Sequence, residues 1–257
     1  MQKDSNLVFS INDALPFSTP PLHILDIGAL FEEEPIYAKL LQHDGVTLTG
    51  FEPQEEAREA LKKIYGSRGQ WISHFLGDGK EHNFYVTRYP GCCSLFEPNP
   101  EVIDSFMGMG TEDKGNFNVV SVQQISTTRL NEIDQIESVD FAQIDVQGAE
   151  LMILENGMEK LGSALVIQVE AAFYPLYKKQ PLFADLHLFL QKHGFDLHKF
   201  IDITGRAYRP LSTPNPLQPI SQIIEADAVF VRNMKNPSAL CEEELLQVSH
   251  ILHDAYN

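Results

Sequence analysis

The chain has 257 residues, of which 36 are acidic and 19 basic, and its formal net charge is −17. So acidic a chain, without a run of Lys or Arg, repels polyanions, and we expect no nucleic-acid partner. Apolar runs such as ALVIQV are too short to span a membrane, and the first residues lack a signal-peptide pattern. The number of cysteines is odd, and two of the three are adjacent and therefore poor disulfide partners. These features favour a reduced, cytoplasmic location.

Strand and helix patterns alternate along most of the chain. Apolar runs of strand length predict strands over residues 23–27, 46–51, 71–76, 139–144, 165–169 and 227–231. Helical periodicity and terminal glycines predict helices over residues 35–43, 54–65, 148–161, 183–193 and 239–256. This order predicts βαβ units and a mostly parallel sheet. We expect one domain over 1–257, with an N-terminal extension (1–22), a core (23–200), a loop (201–226) and a closing strand and helix (227–257).

Four acidic residues stand where successive predicted strands end: Asp26, Glu52, Asp78 and Asp145. In an open parallel sheet the ligand crevice lies outside the carboxyl ends of the strands, so these side chains should converge. Carboxylates suit a ligand with hydroxyls, an amine and positive charge, and S-adenosylmethionine has all three. The alternative for each acid is local, as a helix cap or a turn residue.

The first strand exit lacks the dinucleotide signature. Gly28 permits close backbone approach there, or serves a simple turn. The six residues from Gly28 read GALFEE rather than G-x-G-x-x-G, and the glutamates at 32–34 would oppose a pyrophosphate. Their alternative role is to cap a first helical turn before Pro35. An NAD-dependent oxidoreductase is therefore disfavoured.

Methyl transfer to a hydroxyl needs a base at the same strand exits. Two carboxylates are candidates, Asp145 and Glu170, the latter just beyond the predicted fifth strand. Three histidines are weaker candidates, because a lone His is usually structural: His74, His187 and His198. Four basic residues stand out in so acidic a chain, either to hold an anionic acceptor group or as solvated loop charges: Lys178, Lys179, Arg206 and Arg209.

The segment IDVQGAE at 144–150 resembles the hallmark of the FkbM-type methyltransferases. Further similar segments are LDIGA with GFEP, LGDG, CSLFEPN, TTRLNEI, FYPLYKKQPLFADL and DAVFVRN. The resemblance implies the α/β fold of class I, S-adenosylmethionine-dependent methyltransferases: a Rossmann-like, seven-stranded, mostly parallel sheet with helices on both faces and an antiparallel last strand. One departure is that Leu30 and Glu32 stand where many members have Asn and a second Gly.

The resemblance also implies site roles and an acceptor class. The implied cofactor contacts are Asp26, Gly28 and Ala29 near the methionine, Glu52 on the ribose, Asp78 near the adenine, and Asp145 near the methionine amino group or the acceptor. Better known members are similar in methylating hydroxyls of sugars or polyketides, so we expect a small-molecule acceptor.

Several alternatives stay open at this point. Carboxylates at strand exits can also hold Mg²⁺, although no ligand spacing demands a metal. An inactive or ligand-binding relative of the fold is the main alternative to an enzyme. The last helix, with Leu245, Val248 and Leu252 along one face, should pack on its own domain, or else form a dimer contact. We therefore expect a monomer or a homodimer.

Overall fold

The structure is a computed structural model that describes residues 9–16, 18–28, 35–211, 222–232 and 235–256. The strands in these residues are β1 (Leu22–Ile27), β2 (Val46–Phe51), β3 (Gly69–Ile72), β4 (Phe75–Leu76), β5 (Glu81–Thr87), β6 (Val119–Thr128), β7 (Phe141–Ile144), β8 (Val166–Ala172), β9 (Phe195–Arg206) and β10 (Gln222–Arg232). The α-helices are α1 (Ile11–Ala14), α2 (Glu55–Tyr65), α3 (Pro100–Ile103), α4 (Glu150–Glu155), α5 (Met158–Leu161), α6 (Phe183–Lys192) and α7 (Glu242–Tyr256).

Seven strands form one twisted sheet in the order β3-β2-β1-β7-β8-β10-β9. The pairs from β3 to β8 are parallel, whereas β10 runs antiparallel to both β8 and β9. Strands β1, β7 and β8 are almost wholly buried, as expected for parallel strands covered on both faces. The predicted α/β class, with a seven-stranded, mostly parallel sheet, is confirmed.

Helices cover both faces of this sheet. On one face, α4, α5 and α6 pack their buried leucines and isoleucines against β1, β7 and β8. On the other face, Leu61 of α2 and Ile251 of α7 pack with Leu22, Ile24 and Val229 of the sheet. The closing helix therefore packs on its own domain, where Tyr256 Oη also donates to Gln168 Oε1 at 2.7 Å. Each helix among the described residues is too short or too polar to cross a membrane.

A second, three-stranded sheet stands beside the first, in the order β4-β6-β5. The segment between β5 and β6 forms a separate apolar cluster with residues after β8 and in β10, and this cluster contains Phe106, Met109, Phe117 and Tyr177. This added layer lies over the carboxyl end of the main sheet and contributes side chains to the cavity found there.

Several predicted boundaries were wrong. The strand predicted over 71–76 is two strands: β3 belongs to the main sheet and β4 to the small one. Residues 35–43 form turns and a short 3-10 helix rather than an α-helix. The helix predicted over 148–161 is divided into α4 and α5 at Gly157, where a Cβ would lie 2.8 Å from both the Ile153 carbonyl oxygen and Leu130 Cδ2.

The loop predicted over 201–226 is also wrong at both ends. Strand β9 continues to Arg206, and β10 begins at Gln222. Strand β9 lies at the sheet edge and pairs with β10 alone, so only Phe195 of its residues is fully buried and its sequence lacks a continuous apolar run. Because residues 201–206 include polar side chains, the sequence pattern alone does not predict this part of the strand.

Candidate active site

A cavity of about 440 Å³ opens at the carboxyl ends of the parallel strands. Its volume lies within the roughly 300–1,000 Å³ typical of small-molecule sites. Charged side chains from five strands of the main sheet, or from the residues directly after them, line it: Glu52 (β2), Asp145 (β7), Glu170 (β8), Arg206 (β9) and Glu225 (β10). The predicted convergence of strand exits is therefore present for Glu52 and Asp145.

Gly28 lines the cavity at the exit of β1. Its φ is +95°, and a Cβ there would lie 1.7 Å from the carbonyl oxygen of Asp145. Glycine is thus required because the exits of β1 and β7 approach each other so closely. The neighbouring site prediction, Ala29, lies outside the described residues, as do Leu30 and the glutamates at 32–34.

Glu52 follows β2 and is 4% exposed. Its Oε1 accepts the Gln54 N–H at 2.6 Å, so the capping alternative is present at the start of α2. Burial raises the pKa of Glu52, and the Gln54 N–H and the Arg58 charge act in the opposite direction. Because a carboxylate has two oxygens and about four lone-pair sites, this cap leaves acceptor capacity in the cavity.

Asp26 lies behind the cavity wall rather than on it. Its carboxylate is 6% exposed and accepts a 2.5 Å hydrogen bond from the Tyr37 hydroxyl. Burial raises the pKa of Asp26 to about 7, and the charges of Asp145 and Glu52 add to the effect. Among the described residues, those that line the cavity do not include Asp26.

Asp78 follows β4 in the small sheet, because the predicted third strand is divided. Its carboxylate accepts from Lys80 Nζ at 2.8 Å and from His82 Nε2 at 2.7 Å. Desolvation alone would raise the pKa of Asp78, but these hydrogen bonds outweigh it and lower the pKa below its ordinary value. The described residues that line the cavity do not include Asp78.

Asp145 and Glu170 form a bridged carboxylate pair on the cavity wall. The side-chain amide of Gln147 donates to Asp145 Oδ1 at 2.8 Å and to Glu170 Oε2 at 2.9 Å. Burial raises the pKa of both acids, and the charge of Asp145 raises that of Glu170 further. Two such close acids do not ionise independently, so the pair retains a proton at a pH where ordinary carboxyls have lost theirs. Glu170 lies within β8, not beyond it as predicted.

Glu150 supports this pair from α4. Its Oε1 accepts the N–H groups of Val146 at 3.1 Å and Gly148 at 2.9 Å, which fixes the turn that carries Gln147. Burial raises the pKa of Glu150 to about 7. One oxygen each of Asp145, Glu150 and Glu170 lie within 4.8 Å of one another, a grouping that suits a hard divalent cation.

The far side of the cavity combines apolar walls with one arginine. Phe117, Met109 and Leu176 line it, together with Arg206 from the end of β9. Of the candidate histidines, the described lining includes His74 but neither His187 nor His198. Two of the other basic candidates make contacts elsewhere: Lys178 pairs with Glu97 at 2.7 Å, and Arg209 donates to the Phe106 and Met109 carbonyls. The described lining does not include Lys179.

Three polar residues of this region were not predicted from the sequence: Gln147, Glu225 and Asp227. Gln147 was visible within IDVQGAE but was not given a role. Glu225 and Asp227 alternate in β10 and carry raised pKa values because both are desolvated; the pKa of Asp227 is about 7. Acids one residue apart inside an otherwise apolar strand were the available signal, since they share a face.

Comparison with known proteins identifies the family. The family model described as "Methyltransferase FkbM domain" matches residues 26–197. The chain belongs to the FkbM methyltransferase family. It is thus a methyltransferase, and S-adenosylmethionine is the methyl donor. The predicted family and enzyme class are confirmed, whereas no curated protein has a significantly similar sequence.

Solved methyltransferase structures are also similar to this chain. Precorrin-6y C5,15-methyltransferase from Geobacter metallireducens GS-15 is 14% identical, over 83% of this chain and 82% of that one, with a TM-score of 0.43. Magnesium protoporphyrin IX methyltransferase from Synechocystis PCC 6803, with bound SAM, is 12% identical over 83% and 71%, at 0.39. The plantazolicin methyltransferase in complex with SAH is 12% identical over 86% and 79%, at 0.38.

Proposed function

We propose that this FkbM-family methyltransferase methylates a hydroxyl oxygen of a small acceptor, such as a sugar or a polyketide-like metabolite. The observation that carries the proposal is the Asp145–Gln147–Glu170 arrangement on the wall of the one cavity that also contains Gly28 and Glu52. A paired carboxylate beside a cofactor pocket supplies the proton acceptor that a hydroxyl needs.

The carboxylates of the cavity suit S-adenosylmethionine as the bound cofactor. Glu52 offers its remaining acceptor positions to the ribose diol, and the carboxylates of Asp145 and Glu170 favour the positively charged methionine end. Neither Asp26, which binds Tyr37 behind the wall, nor Asp78, which binds Lys80 and His82, contacts the cofactor in this proposal. When bound, S-adenosylmethionine supplies an electrophilic methyl group, whose bond to sulfur breaks as the acceptor oxygen bonds to the carbon.

The carboxylate pair performs the proton chemistry. The ionised member accepts the hydroxyl proton as the oxygen attacks, while Gln147 holds both acids by its amide. Burial brings the pKa of the base nearer to neutral pH. Its ionised form therefore has a greater affinity for the hydroxyl proton than an ordinary carboxylate has. Positioning the acceptor in line with the methyl group is the remaining requirement.

The acceptor side is suited to a mixed polar and apolar molecule. Phe117, Met109 and Leu176 contact apolar parts, and Arg206 beside Glu225 offers hydrogen bonds to hydroxyls. Mg²⁺ is compatible with the oxygens of Asp145, Glu150 and Glu170, where it would lower the pKa of a coordinated hydroxyl. The reaction is proposed to be cytoplasmic, in keeping with the free cysteines.

The test is a direct search for methyl transfer. Purified protein is incubated with S-adenosylmethionine carrying a labelled methyl group and a panel of sugars, polyphenols, amines and carboxylic acids, with and without Mg²⁺ and EDTA. The expected result is label in a hydroxylated acceptor, with a mass gain of one CH₂. Transfer only to amines would overturn O-methylation, and cofactor binding without transfer to any acceptor would support an inactive relative.

A further inference from the structure

A second polar cluster lies away from the catalytic cavity. His43 lies three residues before the start of β2, whereas His250 and Asp254 stand one turn apart on α7. We call these three residues the His–His–Asp cluster. The cavity opens at the carboxyl ends of the strands, so a residue that precedes β2 lies at the opposite edge of the sheet. One ligand atom from each of the three lies within 4.8 Å of the others.

The distances within the cluster match metal coordination better than direct hydrogen bonds. Asp254 Oδ2 is 3.4 Å from His43 Nε2 and 3.2 Å from His250 Nε2. A tetrahedral ion with bonds of about 2.0–2.1 Å separates its ligand atoms by about 3.3–3.4 Å. Both separations from Asp254 Oδ2 are therefore close to the edge of such a tetrahedron.

His250 supplies an independent observation. The residue is fully buried, and among the described residues its Nε2 has no partner with hydrogen-bond geometry, although it lies 3.2 Å from Asp254 Oδ2. The opposite ring nitrogen, Nδ1, lies 3.1 Å from the Thr19 hydroxyl. A buried imidazole fixed at one nitrogen and unpartnered at the other is the usual state of a metal-ligating histidine.

Asp254 is held in the same way. Its Oδ1 accepts from His253 Nδ1 at 2.7 Å and from the Ile11 N–H at 3.2 Å, and so Oδ2 faces the two imidazoles. Ser10 Oγ lies 2.8 Å from His43 Nε2 and 2.5 Å from Asp254 Oδ2, at the remaining side of the cluster. The residues around the cluster therefore orient its ligand atoms, and Ser10 bridges two of them by hydrogen bonds that are shorter than the edge of a zinc tetrahedron.

We propose that the His–His–Asp cluster binds one zinc ion through His43 Nε2, His250 Nε2 and Asp254 Oδ2, with a water as fourth ligand, and that the ion replaces the Ser10 hydroxyl as the bridge between His43 and Asp254. Two imidazoles and one carboxylate form a ligand set that Zn²⁺ accepts in tetrahedral geometry. The ion links the approach to β2 with α7. Its role is structural, because the ion adds a further link to the hydrogen bonds that already join the N-terminal segment to α7.

Zinc titration of the metal-free protein tests the site. Protein treated with EDTA and dialysed is titrated with ZnCl₂ by calorimetry, and its melting temperature is followed with and without one equivalent. We expect one tight site per chain and a higher melting temperature with zinc. With Co²⁺ we expect the visible bands of a four-coordinate nitrogen and oxygen site, without thiolate charge transfer.

Variants then assign the ligands. His43→Gln and His250→Gln should each raise the zinc dissociation constant by about 100-fold or more, since even outer-sphere changes cost about 10–100-fold. His193→Gln, at a histidine held by the Phe189 carbonyl, is the matched control and should bind normally, as should Glu170→Gln and Cys241→Ser. His43 is partly accessible, so its variant is expected to fold even where the His250 variant does not.

Three results would overturn the proposal. The first is absence of tight zinc binding by folded wild-type protein, which would make the cluster a hydrogen-bonded network. The second is unchanged zinc affinity in folded His43→Gln. The third is loss of zinc binding in Glu170→Gln or Cys241→Ser, which would place the ion elsewhere.

Discussion

Gln147 carries the most constrained geometry of the candidate site. Its φ is 56°, in the left-handed region that side chains other than glycine rarely adopt. The surroundings enforce it: Ser94 Oγ donates to the Gln147 carbonyl at 2.6 Å, and Tyr177 Oη donates to Gln147 Oε1 at 3.3 Å. Strain that is fixed from several sides is typical of functional positions, and here it aims one amide at two acids.

We expect Gln147→Ala and Gln147→Gly to lower kcat by about 10-fold to 100-fold, with little change in cofactor affinity. The glycine variant permits the left-handed backbone, so equal losses in both variants would attribute the effect to the amide. Steady-state kinetics beside calorimetry with S-adenosylmethionine makes the measurement. Recovery of wild-type kcat by the glycine variant would instead show that Gln147 matters only through its backbone.

At Glu52 we expect replacement by Ala to weaken S-adenosylmethionine binding by about tenfold or more, because hydrogen bonds to a charged acceptor contribute roughly 1.5–3 kcal/mol each. Part of any change in stability would come from the lost cap on Gln54. Glu55→Ala, at an exposed acid in the first turn of α2, is the control. An unchanged dissociation constant in folded Glu52→Ala would remove Glu52 from the cofactor site.

Asp145→Asn should lower turnover by about 100-fold or more in a folded protein, because an amide cannot accept the acceptor's proton. In the wild type, kcat/KM should fall as pH decreases through the raised pKa values of the pair, since the base must be ionised. The pH profile with the identified acceptor checks both statements. Near wild-type turnover by the variant would leave Asp145 a purely local role.

Burial distinguishes two apolar residues on the closing helix α7. Ile251 is 0% exposed within the cluster that α7 forms with the sheet, whereas Leu245 is 37% exposed. We expect Ile251→Ala to lower the free energy of unfolding by roughly 2–5 kcal/mol and Leu245→Ala by much less. Urea denaturation of both variants makes the comparison. Equal effects would mean that Leu245 is covered in solution, as in a dimer contact.

Local pattern and long-range topology account for what could and could not be predicted. The apolar runs of β1, β2, β7 and β8 predict strands, because strands covered on both faces are apolar throughout. Once these strands are located, the glycine and the acidic residues at their carboxyl ends can be predicted as well. The position of Asp78 could not be predicted, because the single apolar run over residues 71–76 contains strands of two different sheets. Arg206 and Glu225 reach the site only through pairing of β9 with β10, which no local pattern encodes.

Acidic side chains lie in the interior of the molecule as well as on its surface. Asp26 and Glu150 are buried, Asp227 is largely so, and desolvation raises the pKa of each to about 7. The folded state therefore binds more protons than the unfolded chain between about pH 4 and pH 7. A bound cation would relieve this repulsion, so the acidic interior favours a positively charged cofactor.

The stability of the metal-free, cofactor-free protein should consequently fall as pH rises through this window. The raised carboxyl pKa values stabilise the folded state at low pH and lose their contribution up to about pH 7, because each buried acid must then ionise. His198 and His250 act oppositely, since desolvation lowers their pKa values and protonation below about pH 6.5 favours unfolding. The carboxyls outnumber these histidines, so the melting temperature should fall by at least about 3 °C from about pH 6 to about pH 8, which corresponds to about 1 kcal/mol in the free energy of unfolding.

Asp26→Asn should reduce this fall in melting temperature with pH, whereas Glu56→Gln, at an exposed acid, should leave it unchanged. Thermal scans in the presence of EDTA make the measurement, and a melting temperature that rises over this interval would show that the buried acids are ionised in the folded state.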